Sequence, residues 1–381
     1  ILASVFNYIF FQQIGLVNDI DAYGIYGIFL AACLVGLIFW WTAKIYGKFS
    51  GFIAALSLAL YPLFWSEAHF NTQKDIPETV YWSFLLFSVW YGITQKNHKW
   101  ILAAGIFLGL ALGTKFNVLF IPLVIIPWLV VFLINQYLNK RPRSKQRFSI
   151  KEFVLKNRKF SLSILSSPFI GVVIFIGSWP YLWSDLIGNL GGIFKFYEEI
   201  GFTTNINTNF LGPFGINTYP VGWIAYTTPL IILFLTFIGF LAVFSKFKSG
   251  KDKVSFLFLL WLLVPILRVT WPGTTIYGGV RQIMEYIPAL AIFAGIGGCE
   301  VVRFLSKKVN FNLVSVFILI TFIPHLVNLV TIHPNENVYF NSLIGGLEGA
   351  KNKNFPSWGN SIGNAYLQGI RWINENVEEG A

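Results

Sequence analysis

Apolar runs of roughly 20 residues succeed one another along almost the whole chain, and no other feature narrows its fold as much. They lie near 1–17, 23–42, 50–65, 78–94, 100–113, 116–134, 161–183, 221–244, 254–271, 282–302 and 311–332. Segments of this kind cross a hydrocarbon core, where every backbone N–H and C=O must be bonded internally. The pattern specifies an all-α polytopic membrane protein, with about 10–11 transmembrane helices by this reading. Composition agrees: 55% of residues are hydrophobic, 18% aromatic, and the mean hydropathy is +0.63. A soluble domain so composed would expose more apolar surface than such domains tolerate.

The net charge of +11 does not indicate nucleic acid, because the cations concentrate in short loops between apolar runs. Lys44 and Lys48, Lys96 and Lys99, the cluster from Lys140 to Lys159, Lys246 to Lys253, and Arg303 to Lys308 all fall in alternate loops. The positive-inside rule puts these on the cytoplasmic side. The opposite face then carries 66–78, the Gly113–Lys115 turn, 184–220, 272–281 and the tail from 333. Cys33 and Cys299 lie in apolar segments and give no disulfide framework. Two cysteines and four histidines make no zinc pattern, and no metal ligand is assigned. Ile1 opens inside an apolar run, so an N-terminal piece is expected to be missing, and the tail is expected to be cut as well. The expected organisation is a transmembrane domain at 1–332 and a non-cytoplasmic C-terminal segment at 333–381.

Ser66–Thr79 packs Glu67, His69, Asn71, Lys74, Asp75 and Glu78 between two apolar runs, in a chain only 12% charged. Helix capping explains part of it: Asp75 stands at an N-cap position, Pro77 in the first turn, and Glu78 three residues on completes a capping box. The other reading is a polar reaction centre at the mouth of a bundle, since capping needs neither Glu67, His69, Asn71 nor Lys74. Ionisable groups at the rim of apolar segments are costly and therefore functional candidates. Lys115 either snorkels to the interface or faces an anionic headgroup. Arg281 offers a planar fork suited to phosphate, with Glu285 one turn on as an alternative brace; Arg268 is a second brace or a second phosphate contact. His325 reads as a satisfied core histidine. The long 184–220 segment, with Phe194, Phe196, Tyr197, Phe202, Phe210, Phe214 and Tyr219, reads as a loop that either rests at headgroup level or walls a substrate groove.

Several of these stretches resemble one family. Phe70-Asn71-Thr72-Gln73-Lys74-Asp75-Ile76-Pro77 looks like the Asn-Pro-Lys-Asp-Ile-Pro signature of membrane glycosyltransferases related to protein O-mannosyltransferases, glycosyltransferase family 39 with a GT-C fold. The glycine-rich run from Leu108 to Asn117, ending in Thr114-Lys115, and Tyr277-Gly278-Gly279-Val280-Arg281-Gln282 are similar to further family elements. The tail from His333 to Ala350, then Ser357-Trp358-Gly359 and Trp372 to Asn376, resembles that of many bacterial and archaeal members. The resemblance implies a GT-C-like bundle. It also implies inverting transfer of a sugar, hexosyl or mannosyl, from a polyprenyl-phosphate donor to a glycan, lipid or protein acceptor. The reaction would run at the outer face of a prokaryotic plasma membrane, with no nucleic acid involved. It casts Asp75 as catalytic, Lys74, Lys115 and Arg281 on the donor phosphate, and Glu67, His69, Asn71 and Tyr277 around the substrate. No cofactor is assigned with certainty, and a divalent cation stays open. The family's principal outer-loop Asp has no match; Asp19 and Asp21 instead read as helix caps. Gly278 and Gln282 replace an acid and a histidine of the family pattern, and Glu285 is an added acid. The rival function is a transporter or flippase of a lipid-linked or anionic substrate. Inverted repeats and midplane charges, which would favour it, are not evident.

Overall fold

The computed structural model describes residues 2–139, 158–203, 210–248, 254–274, 276, 278–359 and 364–378. All eleven apolar runs become helical, though several are broken where a continuous helix was expected. The helix α1, Asp19–Tyr46, is capped by Asn18, whose side chain accepts from the Asp21 amide at 2.8 Å. Asp19 and Asp21 therefore occupy the first turn and are not the cap, and Asp19 takes the Asn7 side-chain amide at 2.6 Å. Gly47, at φ 98°, separates α1 from α2, Lys48–Ala59. Pro62 then opens α3, Pro62–Phe70, because proline supplies no N–H to continue the preceding turn. The axes of α2 and α3 differ by 58°.

Next in order come α4 (Asp75–Thr94), α5 (His98–Leu112), α6 (Pro122–Asn139) and α7 (Arg158–Ser178). After them come α8 (Leu186–Thr203), α9 (Tyr219–Thr227), α10 (Leu230–Lys248) and α11 (Val254–Thr270). The chain closes with α12 (Ile287–Leu305), α13 (Phe311–Ile320), α14 (Ile323–Ile332), α15 (Gly346–Asn352) and α16 (Asn364–Asn376). Between α9 and α10 the chain turns by 116° at Pro229. Among the described residues five helices are long and apolar enough to cross a membrane, or seven if each bent pair is one span. The α5 and α11 helices are shorter apolar elements beside them.

Lipid tails are as apolar as leucine, so helices in a bilayer associate through close packing more than through expulsion of water. The α12 helix shows this directly. It is buried along most of its length, between α2 and α10. A side chain added at Gly297 would overlap the Leu235 carbonyl, and one at Gly239 would overlap the Phe293 carbonyl. Around it lies an aromatic core in which Trp41 meets Phe258 at 5.0 Å, Trp90 at 5.2 Å and Trp261 at 5.8 Å between ring centroids. By contrast α7, α13 and α14 leave Leu165, Phe169, Leu313 and Val330 exposed, as a lipid-facing surface requires. Phe340, Ile344 and Phe355, from beyond residue 332, join the same buried cluster as the bundle.

The 184–220 segment departs from its expected loop. Residues 186–203 form α8, with the Asp185 carboxylate accepting from the Gly188 amide at 3.0 Å at its start. Gly188, Gly191 and Gly192 give this stretch a loop-like composition, but its apolar residues recur at helical spacing. Phe194 and Tyr197 consequently face one partner, Phe116, with centroids 6.0 and 5.3 Å away.

Gly297→Val should destabilise the protein by at least about 1–3 kcal/mol, read as a lower melting temperature in detergent. Gly36→Ala, where nothing lies within 4 Å, should leave it unchanged.

Candidate active site

Three elements meet where α4 begins. Asp75 is its first residue, Lys115 stands in the turn after α5, and Arg281 opens a short 3-10 helix, Arg281–Tyr286, that feeds α12. Lys115 Nζ donates to Asp75 Oδ1 at 2.8 Å, and Arg281 Nη1 lies 3.8 Å from Asp75 Oδ2. Asn71 donates to that same Oδ2 at 2.5 Å and to Glu67 Oε2 at 2.7 Å, so one amide ties the two carboxylates together. Asp75 is only 3% exposed, against 15% for Lys115 and 22% for Arg281. The carboxylate thus sits under its cations, and the cations face outward.

The capping box does not form. The cap residue is Lys74, with no side-chain capping bond, and Asp75 spends its oxygens on Lys115, Asn71 and Arg281. Glu78 points inward, with both carboxylate oxygens buried and without a hydrogen-bond partner. The charges of Glu285, Lys115, Arg268 and Asp75 all act on it.

Behind this layer the Gln282 carbonyl receives three donors: Lys115 Nζ at 2.8 Å, Asn117 Nδ2 at 2.7 Å and Arg268 Nη2 at 3.2 Å. Glu285 pairs with Arg268 at 2.8 Å and accepts from Asn117 at 3.4 Å. The Trp261 indole donates to the Glu285 backbone carbonyl at 2.6 Å. The brace expected within one helix, Arg281 with Glu285, is therefore replaced by one between elements, Arg268 with Glu285. A 3-10 turn does not stack residues four apart as an α-helix does, and Arg281 is left for Asp75.

Gly278 and Gly279 deliver Arg281. Both have left-handed backbones, φ 67° and 76°, which side chains other than glycine's resist. The Gly279 amide donates to the Tyr219 hydroxyl at 3.1 Å, and a Cβ there would stand 3.2 Å from the Trp223 ring. The Gly278-Gly279 turn is thus pressed on tryptophan.

Not every predicted residue joins the cluster. Lys74 is exposed and makes no ion pair among the described residues. His69 turns back to the Trp65 carbonyl at 2.8 Å, and Tyr277 lies outside the described residues. His325 is half satisfied: Nε2 meets the Leu60 carbonyl at 2.7 Å while Nδ1 is buried without a partner. Asn117 carried no sequence signal, being one amide among many. Glu78 and Glu285 did carry one, as acids inside apolar helices.

One small space adjoins the cluster, and a larger one shares Tyr339 with it. A cavity of about 30 Å³, enough for a water or two, is lined by Glu67, Arg281, Glu336, Trp223 and Tyr339. A cleft of about 620 Å³ lies between the Pro229 break and α14, lined by His325, Asn328, Phe340 and Ser342. Tyr339 borders both. Burial, with Tyr61 adding to it, pushes its phenol up to about 12, so it remains a neutral hydroxyl. On the far side, burial pushes the Tyr197 phenol up and the nearby Lys115 charge partly offsets that. Among the described residues no three His, Cys, Asp or Glu side chains gather as metal ligands.

Residues 6–148 match the family model described as dolichyl-phosphate-mannose-protein mannosyltransferase. Among solved structures, the chain is similar to ArnT from Cupriavidus metallidurans bound to undecaprenyl phosphate, with a TM-score of 0.56 at 16% identity. It is also similar to the apo state of that protein, with a TM-score of 0.51 at 15% identity. Each match covers 88% of this chain and 66% of the other, so the chain spans just under two thirds of their length. No curated protein matches the chain by sequence. The likeness is one of fold, a GT-C-like helical bundle, and the match over 6–148 bears out the resemblance to the family 39 mannosyltransferases.

Glu285→Leu should strand the buried Arg268 and cost about 3–5 kcal/mol. Combining it with Arg268→Met should recover most of that loss, with melting temperatures of the two variants as the measurement.

Proposed function

We propose that this chain is the catalytic bundle of a membrane glycosyltransferase. It moves a sugar from a polyprenyl-phosphate donor to an acceptor hydroxyl, with inversion, on the non-cytoplasmic face of a prokaryotic plasma membrane. The observation that carries this reading is the convergence of Lys115 and Arg281 on the buried Asp75. Lys115 spends two of its three donors on Asp75 and the Gln282 carbonyl, and Arg281 Nε is buried without a partner. Both side chains therefore keep hydrogen-bonding capacity for an oxyanion. As the bond between the anomeric carbon and the phosphate oxygen breaks, negative charge grows on the leaving phosphate. Cations already fixed in place stabilise it without having to reorganise. Asp75 contributes by holding both cations at the site, and the planar guanidinium of Arg281 suits two phosphate oxygens at once.

The polyprenyl chain needs an apolar wall near that phosphate, and Phe116, Phe194 and Tyr197 supply one beside Lys115. The likeness to ArnT solved with undecaprenyl phosphate, and the match to a family named for dolichyl-phosphate-mannose, support this donor class. A hexose of the mannose type is the sugar consistent with that family.

The test uses the purified full-length protein in lipid nanodiscs with a labelled polyprenyl-phosphate sugar. Lys115→Met and Arg281→Gln should each weaken donor binding about 10- to 100-fold, the value of one or two charge-assisted hydrogen bonds. Passage of the intact lipid across a vesicle bilayer, with no sugar released or transferred, would replace the enzyme by a flippase. Sidedness is checked separately: a membrane-impermeant thiol reagent should label Gln73→Cys and Lys96→Cys from opposite faces of the membrane.

A further inference from the structure

Two helix breaks line the larger cleft, and the phosphate cluster uses neither of them. One is the Pro229 break between α9 and α10; the other, at residues 321 and 322, interrupts the 22-residue span Phe311–Ile332 between α13 and α14. Proline has no N–H, so at Pro229 the Ala225 carbonyl loses the helical partner it would find four residues on. Asn341 takes over that carbonyl. Its side-chain amide donates to the carbonyls of Ala225 and Thr228, each at 2.7 Å, and its backbone amide donates to the Tyr226 carbonyl at 2.7 Å. Non-helical backbone at membrane depth is tolerated only where protein buries it or where it lines a cavity. Asn341 supplies the first condition and the cleft the second. The tail from Tyr339 to Ser342 is thereby pinned to the break, and the cleft is a preformed space.

Its volume of about 620 Å³ is in the range that holds a small-molecule-sized group. Among the described residues no Asp, Glu, Lys or Arg lines it, so a phosphate would find no cation there and an ammonium no carboxylate. What lines it instead is uncharged hydrogen-bonding capacity. His325 Nε2 meets the Leu60 carbonyl at 2.7 Å, and a carbonyl can only accept, so Nε2 carries the hydrogen. In the neutral ring Nδ1 then offers a lone pair, and it is buried without a partner. The side chains of Asn328 and Ser342 and the Tyr339 hydroxyl make no hydrogen bond among the described residues. Tyr339 and Phe340 add aromatic faces. Acceptors and donors without charge, set beside aromatic rings, match the hydroxyls and C–H faces of a sugar. Leu230 at the cleft is exposed, as are Leu326 and Val330 on α14, so the approach runs through an apolar surface.

We propose that this cleft is a second lipid site, which takes the uncharged sugar headgroup of a glycolipid entering from the bilayer. A free sugar or a peptide would have to pass the apolar margin that a lipid already occupies. Lys115 and Asp75 do not line the cleft, so the site is separate from the phosphate cluster, and Tyr339 is the residue it shares with the small cavity beside Arg281. The proposal concerns binding and goes beyond the glycosyltransferase reading without depending on it.

The experiment uses the full-length protein in phosphatidylcholine nanodiscs with a photoactivatable diazirine analogue of monoglucosyl dioleoylglycerol. Crosslinks should map to 225–231, 321–328 and 339–346. Unlabelled monoglucosyl dioleoylglycerol should suppress them at least about tenfold better than phosphatidic acid, free glucose or a serine- and threonine-rich peptide. Asn328→Trp and Ser342→Leu, which fill the cleft from exposed positions on two different segments, should each lower glycolipid labelling about tenfold or more. Tyr339→Phe, which removes one hydroxyl and keeps the ring, should weaken it about two- to tenfold. Asn328→Trp should still bind undecaprenyl phosphate within twofold of native. Labelling that maps elsewhere, or that both cleft-filling variants leave unchanged, overturns the site. Equal competition by phosphatidic acid overturns the uncharged headgroup, and equal competition by free glucose or the peptide overturns the glycolipid. A protein that binds the glycolipid but not undecaprenyl phosphate keeps this site and overturns the donor reading; the reverse result overturns this site alone.

Discussion

Asp75 is the residue on which the site depends. A carboxylate 3% exposed is expensive to bury, and that cost is offset only when charges and donors of the right geometry surround it. Here they come from the turn after α5 (Lys115), from α3 and the residue after it (Asn71), and from the 3-10 turn before α12 (Arg281). None of these segments lies next to another in space by chain order alone. The burial of one carboxylate therefore fixes three chain segments relative to one another at the membrane rim.

A second layer makes the first one rigid. Lys115, Asn117 and Arg268 all donate to the Gln282 carbonyl, one residue beyond Arg281. Any shift of the Arg281 backbone must break bonds to three side chains. Arg268 is in turn held by Glu285, whose own backbone carbonyl accepts from Trp261 in the aromatic core. Packing inside the bilayer is thereby linked to the position of the outward-facing cations. Gly278 and Gly279 complete the arrangement, because only a left-handed turn lets the chain press against Trp223 and still present Arg281.

The charge pattern also divides labour among carboxylates that look alike in sequence. Asp75 accepts from Lys115 and Asn71 with Arg281 beside it, Glu285 is committed to Arg268, Glu78 is sealed in, and Glu67 borders a cavity. Chemistry that needs a carboxylate able to accept a proton and return it is best served by a group with few partners and access to the reactant. A buried carboxylate held by two donors and a nearby guanidinium serves better as an electrostatic scaffold.

The helical membrane bundle was legible in the sequence because runs of apolar residues leave the backbone no other way to satisfy its hydrogen bonds in lipid. The cluster at Ser66–Thr79, Lys115 and Arg281 was legible because ions at the edge of apolar segments are too costly to be incidental. Other features were not. The α8 helix was hidden by its glycines, and the expected capping box and Arg281–Glu285 brace gave way to contacts across the fold. Spacing along the chain predicts only local pairs, whereas Asp75 meets Lys115 at a separation of 40 residues and Arg268 pairs with Glu285 across a helix break. The amino-acid pattern determined that ions would gather at a membrane rim. Which ion holds which was decided by the tertiary packing, since in a low-dielectric interior the lowest free energy belongs to the arrangement that leaves fewest charges unpaired, wherever in the chain the partners lie.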